Sequence, residues 1–238
     1  MTMRKVAMAA VLMAAAAGAW AQDAAIRKNL AERLPNLPAI DEITKTQVPG
    51  LYEVRVGNDV LYTDAEGNYL IQGQIIDTRS RKNLTEERVN KLTAIDFASL
   101  PLKDAIVWKN GSGKRKIAVF ADPNCGYCKR FERDLQAVKD VTVYTFLFPI
   151  LAPDSTTKSN AIWCAKDRTK AWQDWMLRGV TPAAAPANCE TPVARNTELG
   201  RKHRVNGTPA LVFEDGTRVP GALNTEQIEA QLAEVSPR

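Results

Sequence analysis

Apolar and polar positions alternate with two periods along this chain. Between Gln22 and Leu34, Ile26, Leu30 and Leu34 fall on one helical face, with Arg27, Lys28, Glu32 and Arg33 elsewhere. That spacing predicts an amphipathic helix, which Pro35 and Pro38 end. Ile43 to Val48, Tyr52 to Val56, Val60 to Thr63 and Tyr69 to Asp77 are β-rich, with turn residues at Gly57-Asn58-Asp59 and Asp64 to Asn68. They read as short strands joined by hairpins. Arg79 to Asn83 is a polar break. Thr85 then opens a helix to about Phe97, with Glu86 and Glu87 in its first turn and a stripe of Leu84, Val89, Leu92 and Ile95.

From Ala105 onward strands and helices alternate. Ala105 to Trp108, Ile117 to Phe120 and Val141 to Phe148 read as strands, and Cys125 to Lys139 carries helical spacing through Cys128, Phe131, Leu135 and Val138. A strand, a helix and a strand in that order imply a parallel pair. Residues 155–206 read as mostly helical around a Pro/Ala-rich loop at 181–188. Ala210 to Phe213 and Arg218 to Pro220 read as a hairpin, and Thr225 to Val235 as a closing helix. The expected layout is a signal peptide at 1–21, a small helix-plus-antiparallel-sheet domain at 22–82, a helical linker at 83–100 and an α/β domain at 101–238. Some fifty residues of helix and sheet bury little core alone, so the first domain invites a partner surface.

The N-terminal assignment rests on Arg4 and Lys5, an apolar run from Val6 to Gly18, and small residues flanking Trp20 at Ala19 and Ala21. This is the pattern of a secretory signal, with a run too short to span a bilayer. No later stretch is long and apolar enough for a span, so the mature chain is expected to be soluble in an oxidising compartment. Formal net charge falls from +5 to +3 once Arg4 and Lys5 are removed, which argues against a nucleic-acid partner.

That compartment gives the four cysteines their meaning. Cys125-Gly126-Tyr127-Cys128 lies where a buried strand runs into a helix. A sulfur at a helix N-terminus is favoured as thiolate by the unpaired amides and the dipole. Cys125 is expected to be the exposed attacking thiolate and Cys128 the buried resolving thiol, with Lys129 and Arg130 helping to lower the Cys125 pKa. A zinc site would need two more ligands from Cys164, Cys189 and His203, and a Cys–His hydrolase would need His203 beside Cys125. His203 instead sits among Arg201, Lys202 and Arg204, on a solvated face. No metal or organic cofactor is expected. Cys164 and Cys189, 25 apart, are expected to pair as a structural disulfide. Closing that loop would contribute ~3.5 kcal/mol in the chain-entropy model. A second redox pair is the alternative, without the tight spacing. Gly207-Thr208-Pro209-Ala210 precedes a strand, a place where proline marks a tight, sometimes cis, turn.

With these elements in place the chain resembles the thioredoxin superfamily, and more closely the bacterial periplasmic disulfide isomerases of the DsbC/DsbG type. The matching motifs are Cys125 to Cys128, Phe148-Pro149, Ala161 to Asp167, Gly207 to Ala210, Val219-Pro220-Gly221 and Leu70 to Gly73. Gly126-Tyr127 favours the DsbC branch, while Asp122-Pro123-Asn124 is reminiscent of the DsbG branch. The resemblance implies a cis Pro209 beside the redox pair, Thr208 pairing with an extended substrate segment, and a structural Cys164–Cys189 bridge. It also implies a V-shaped homodimer whose cleft holds misfolded chains, and a membrane reductant of the DsbD type. The activity implied is reshuffling of wrong disulfides in secreted proteins. A DsbG-like reductase of sulfenylated cysteines and a redox-independent holding chaperone are the competing readings. Thioredoxins place a buried aspartate six residues before the first cysteine; here that residue is Val119.

Overall fold

The computed structural model describes residues 22–235, so the expected signal peptide lies outside the described residues. The chain divides into two compact units, one up to Leu92 and one from Thr93.

In the first unit a helix α1 (22–33) precedes strands β1 (Glu42–Lys45), β2 (Leu51–Val56), β3 (Asp59–Asp64) and β4 (Leu70–Ile71). They form an antiparallel sheet in sequence order. Every second residue of β2 turns inward, so Tyr52, Val54 and Val56 meet Ile26 and Leu30 of α1 in the unit's core. Leu34, expected on that face, lies past the helix end and is 39% exposed. The segment read as one strand from Tyr69 to Asp77 is broken into β4 and β5 (Ile76–Asp77), and the polar break supplies β6 (Lys82–Asn83), which pairs with β5. Backbone pairing at a hairpin does not require apolar side chains, which is why hydrophobic pattern missed it. Helix α2 (Leu84–Thr93) is shorter than expected. Its apolar stripe is only half-buried, and charge anchors it: Arg88 donates to Glu53 at 2.8 Å and to Glu42 at 2.7 Å.

The second unit is built on a five-stranded sheet. In chain order its strands are β7 (Ile106–Asn110), β8 (Arg115–Ala121), β9 (Val141–Leu147), β10 (Ala210–Phe213) and β11 (Arg218–Pro220). Across the sheet the order is β11-β10-β8-β9-β7, with β8 and β9 parallel and the other pairs antiparallel. The β8–β9 crossover is α3 (Gly126–Leu135); α4 (Ser155–Trp163), α5 (Arg168–Arg178) and α6 (Val193–Lys202) follow β9, and α7 (Thr225–Val235) ends the unit. Side chains of β8 alternate between the two faces. Ile117, Val119 and Ala121 pack in one cluster with α3, α5 and α7. Ala118 and Phe120 pack in another, with Phe146, Phe148, Val212 and the segment from Ile95 to Ala105. That segment leaves the helical path because Ile95 N–H donates to Gly216 and Asp96 caps a short 3-10 turn at Phe97–Ser99. Where α6 crosses Phe148, a Cβ on Gly200 would stand 2.4 Å from the ring, so the crossing needs a glycine. A disulfide joins Cys164 and Cys189 around α5.

Candidate functional site

Cys125 is the N-cap of α3. Its Sγ accepts the Cys128 N–H at 3.2 Å, and its own N–H donates to the Asp122 carbonyl at 3.0 Å. β8 delivers the chain to this point and ends at Ala121, so the loop Asp122 to Asn124 sets where the sulfur sits. Asp122 is fully buried and its carboxylate accepts four hydrogen bonds. Oδ1 takes the Asn124 N–H at 2.7 Å and the Ser155 hydroxyl at 2.8 Å; Oδ2 takes the N–H groups of Ile150 at 2.7 Å and Leu151 at 2.9 Å. One carboxylate therefore ties the active loop to the segment after β9 and to the start of α4.

The Thr208–Pro209 peptide bond is cis, and the Thr208 carbonyl accepts from the Cys125 thiol at 3.2 Å. The Thr208 hydroxyl is buried with no hydrogen-bond partner, near enough to favour either thiolate. This turn covers the sulfur. Cys125 is 3% exposed and Cys128 1%, so the expectation of an exposed Cys125 is corrected. Tyr127, between them, is 68% exposed, and Gly126 has open space where a Cβ would be.

The two thiols titrate far apart. Cys125 falls from an ordinary value of 9.0 to about 6, chiefly because the Cys128 thiol donates to it, with the Thr208 hydroxyl and the Cys128 and Tyr127 N–H groups adding to this against burial. Burial, and the proton Cys128 shares with the neighbouring thiolate, push Cys128 strongly upward. Lys129 and Arg130, expected to assist, face elsewhere. Lys129 Nζ lies 4.3 Å from the Trp175 ring centroid and Arg130 approaches Asp134 at 3.9 Å. The Trp175 indole N–H in turn donates to the Pro123 carbonyl at 2.6 Å, buttressing the loop from outside.

The arrangement can do one kind of chemistry well: nucleophilic attack by a thiolate, followed by capture from a second, protonated thiol at hand. Among the described residues no group of His, Cys, Asp and Glu could hold a metal ion, and His203 sits half-buried at the end of α6. No described helix is long and apolar enough to cross a membrane. Two groups escaped the sequence reading. Asp122 was noticed without a role, because three of its four hydrogen-bond partners lie 28 to 33 residues away. Glu132 was missed, although a glutamate on the stripe of Cys128, Phe131 and Leu135 was the available signal.

Residues 17–86 match the family described as disulfide bond isomerase protein N-terminal domain, and residues 102–236 match a thioredoxin-like domain. A probable thiol:disulfide interchange protein DsbC of Bordetella pertussis is 45% identical over 208 residues, 87% of this chain and 73% of that protein. The thiol:disulfide interchange protein DsbC of Escherichia coli is 35% identical over 240 residues, 98% of this chain and 97% of that one. The chain belongs to the DsbC-type thiol:disulfide interchange proteins. A crystal structure of a disulfide interchange protein from Neisseria gonorrhoeae is 42% identical, with a TM-score of 0.56; it covers 58% of this chain and is itself matched over 100% of its length. The DsbC-type assignment thus spans both units. Thiol–disulfide chemistry and the mixed α+β fold with a thioredoxin-like domain are properties of this chain.

Proposed function

We propose that this DsbC-type protein is a periplasmic protein-disulfide isomerase, with Cys125 as the attacking thiolate and Cys128 as the resolving thiol. The observation that carries the reading is the split between the two thiols. With a pKa of about 6, Cys125 is ~90% thiolate at pH 7, while Cys128 keeps its proton beside it. Cys125 attacks a wrong disulfide in a secreted protein and forms a mixed disulfide, releasing one substrate thiolate. That thiolate attacks elsewhere in the substrate, and Cys125 leaves as a stabilised thiolate. Where the substrate stalls, Cys128 attacks Cys125 and frees it. A low-pKa leaving group speeds the last step of each cycle, which suits shuffling.

In this reading Gly126 and Tyr127 present the thiolate, and the Thr208 backbone pairs with an extended substrate segment beside Pro209. Cys164–Cys189 is structural. Residues 22–82 form the dimerisation domain, 83–100 the linker and 101–238 the catalytic domain. The homodimer holds misfolded disulfide-containing chains, and a membrane reductant of the DsbD type keeps Cys125 and Cys128 reduced. The signal-like segment at 1–21 supports export from the cytoplasm.

Cys128→Ser tests the assignment, because it disables release. The variant is expected to accumulate covalent complexes with a scrambled multi-disulfide protein, reversible by reductant and absent in Cys125→Ser. Equal trapping by Cys125→Ser would overturn the roles given to the two sulfurs. Undiminished aggregation suppression by the double Cys→Ser variant, without disulfide shuffling by the wild type, would move the reading to a holding chaperone.

A further inference from the structure

Helices α4 and α5 grip the redox loop from outside, at the two residues just before the nucleophile. Pro123 has no backbone N–H, so its carbonyl is the one backbone group it can tie down. The Trp175 indole N–H of α5 donates to that carbonyl at 2.6 Å. Asn124 is held at both ends of its side-chain amide. Its Nδ2 donates to Asp154 Oδ1 at 2.8 Å and to the Ser155 hydroxyl at 2.9 Å, and its Oδ1 accepts from Lys158 Nζ at 2.7 Å. Lys158 Nζ also donates to Asp154 Oδ2 at 2.6 Å and lies 4.7 Å from the centroid of the Trp175 ring. Two of its protons thus meet oxygens while its charge faces an aromatic ring. Lys129 of α3 stands 4.3 Å from the same centroid. One indole therefore joins α3, α4 and the loop to α5.

The exchange described above uses none of Asn124, Lys158 and Trp175. Their ion pair is too exposed to matter much for stability: Asp154 is 59% exposed, and pairs at such sites contribute little. What the three residues share is position. Asn124 immediately precedes Cys125, whose sulfur accepts the Cys128 N–H and meets the Thr208 carbonyl, each at 3.2 Å. Hydrogen bonds weaken steeply when misaligned, and the backbone at Asn124 and Cys125 sets the angle of both. Asp122 fixes the loop from inside, at the Asn124 N–H. The Pro123 carbonyl and the Asn124 side chain are tied from outside, by α4 and α5.

We propose that Asn124, Lys158 and Trp175 are positioning residues for Cys125, an outer clamp on Pro123–Asn124 that keeps the sulfur aligned with the first amides of α3. This rests on the reading of Cys125 as the attacking thiolate. The clamp acts through geometry and not through charge. The groups that favour the Cys125 thiolate are the Cys128 thiol, the Thr208 hydroxyl and the Cys128 and Tyr127 N–H groups; no lysine is among them. A neutral substitution that loosens the loop should then weaken Cys125 as an acid.

The test titrates the thiolate of the reduced protein by its ultraviolet absorbance in three variants. Asn124→Ala removes the side-chain grip, and Trp175→Phe keeps a ring but loses the N–H for Pro123; neither changes charge. Lys158→Met keeps the stem and loses the ammonium. Losing a hydrogen bond to a charged group outright changes an acid constant by roughly tenfold or more. Loosening one should change it by less, and each variant is expected to weaken Cys125 as an acid by about threefold, with the midpoint above the wild-type value of about 6. Adduct formation with oxidised glutathione should slow at pH 5 and not at pH 8, where the thiolate is fully formed in all of them. Unchanged midpoints in the two neutral variants, with or without a lowered Tm, overturn the inference and leave the clamp a purely structural role. A shift in Lys158→Met alone assigns a through-space charge and overturns it too. Backbone NMR order parameters of the reduced wild type need no variant: Asn124 and Cys125 as rigid as β8 support the inference, and greater mobility than β8 overturns it. The Cys125→Ser control separates the two readings. If the low-pH thiolate signal vanishes there, the variants test the clamp alone; if it persists, the reading of Cys125 fails and the inference with it.

Discussion

Replacing Cys128 by alanine should make Cys125 a poorer thiolate, by an amount the site geometry bounds. Cys125 titrates at about 6 instead of 9.0, which is ~4 kcal/mol in favour of its charged form. The Cys128 thiol is the largest single contributor, ahead of the Thr208 hydroxyl and the Cys128 and Tyr127 N–H groups. A hydrogen bond to a charged group is worth ~1.5–3 kcal/mol. Losing it should move the Cys125 pKa up to roughly 7–8, because the N–H donors at the start of α3 remain. At pH 7 the thiolate fraction would then fall from ~90% to between roughly 10% and 50%. Thiolate absorbance in the ultraviolet, followed against pH in the reduced protein, reads this directly, and the rate of alkylation provides a second trace. A Cys128→Ala protein whose Cys125 still titrates at about 6 would refute the reasoning and assign the shift to the helix terminus alone.

The same shift has a consequence for stability. The folded-state pKa of Cys125 is lowered, so its contribution is fully present above the unfolded value near 9 and is lost as pH falls through 6. Acidification from pH 7 to pH 5 should cost the reduced protein ~1.3 kcal/mol relative to Cys125→Ala, measured by urea unfolding; parallel pH dependences would contradict this. Asp122→Asn should destabilise the second unit by ~2–4 kcal/mol, since either amide orientation sets an NH₂ against a backbone N–H now bonded to a carboxylate oxygen. Unfolding at the wild-type denaturant midpoint would show that the carboxylate does not hold the loop. Gly200→Ala should cost ~1–3 kcal/mol through the clash with Phe148, visible as a lowered Tm, and a neutral result would mean that α6 can shift. Removing the Cys164–Cys189 bridge by a double alanine substitution should cost ~3.5 kcal/mol, and no loss of stability would contradict the loop-closure argument.

The elements that sequence predicted well are those whose stabilising contacts repeat locally. Helix α7 runs from Thr225 to Val235 because Ile228 and Leu232, one turn apart, both reach the core. The parallel β8–β9 pair follows from two apolar runs separated by one helix. The place of Cys125 and Cys128 at a strand-to-helix junction was legible for the same reason: the strand end, the N-cap position and the two-residue gap are all local. What escaped depends on partners far along the chain. The burial of Cys125 is made by Thr208, 83 residues away. The end of α2 depends on segments that no local pattern announces, as does the Ile95 contact with Gly216. β6 is polar because its pairing is made by backbone alone. Glu132 was missed, because its burial is made tolerable by the indole of Trp172, 40 residues on.

The central claim is that this chain moves disulfides through Cys125, and recovery of a scrambled multi-disulfide protein in glutathione buffer tests it most directly. The account predicts that the wild type restores native substrate activity, that Cys125→Ser abolishes this, and that Cys128→Ser retains part of it under the same buffer. Recovery with Cys125→Ser equal to that of the wild type, or no recovery from wild-type protein whose thiols still react, would contradict it.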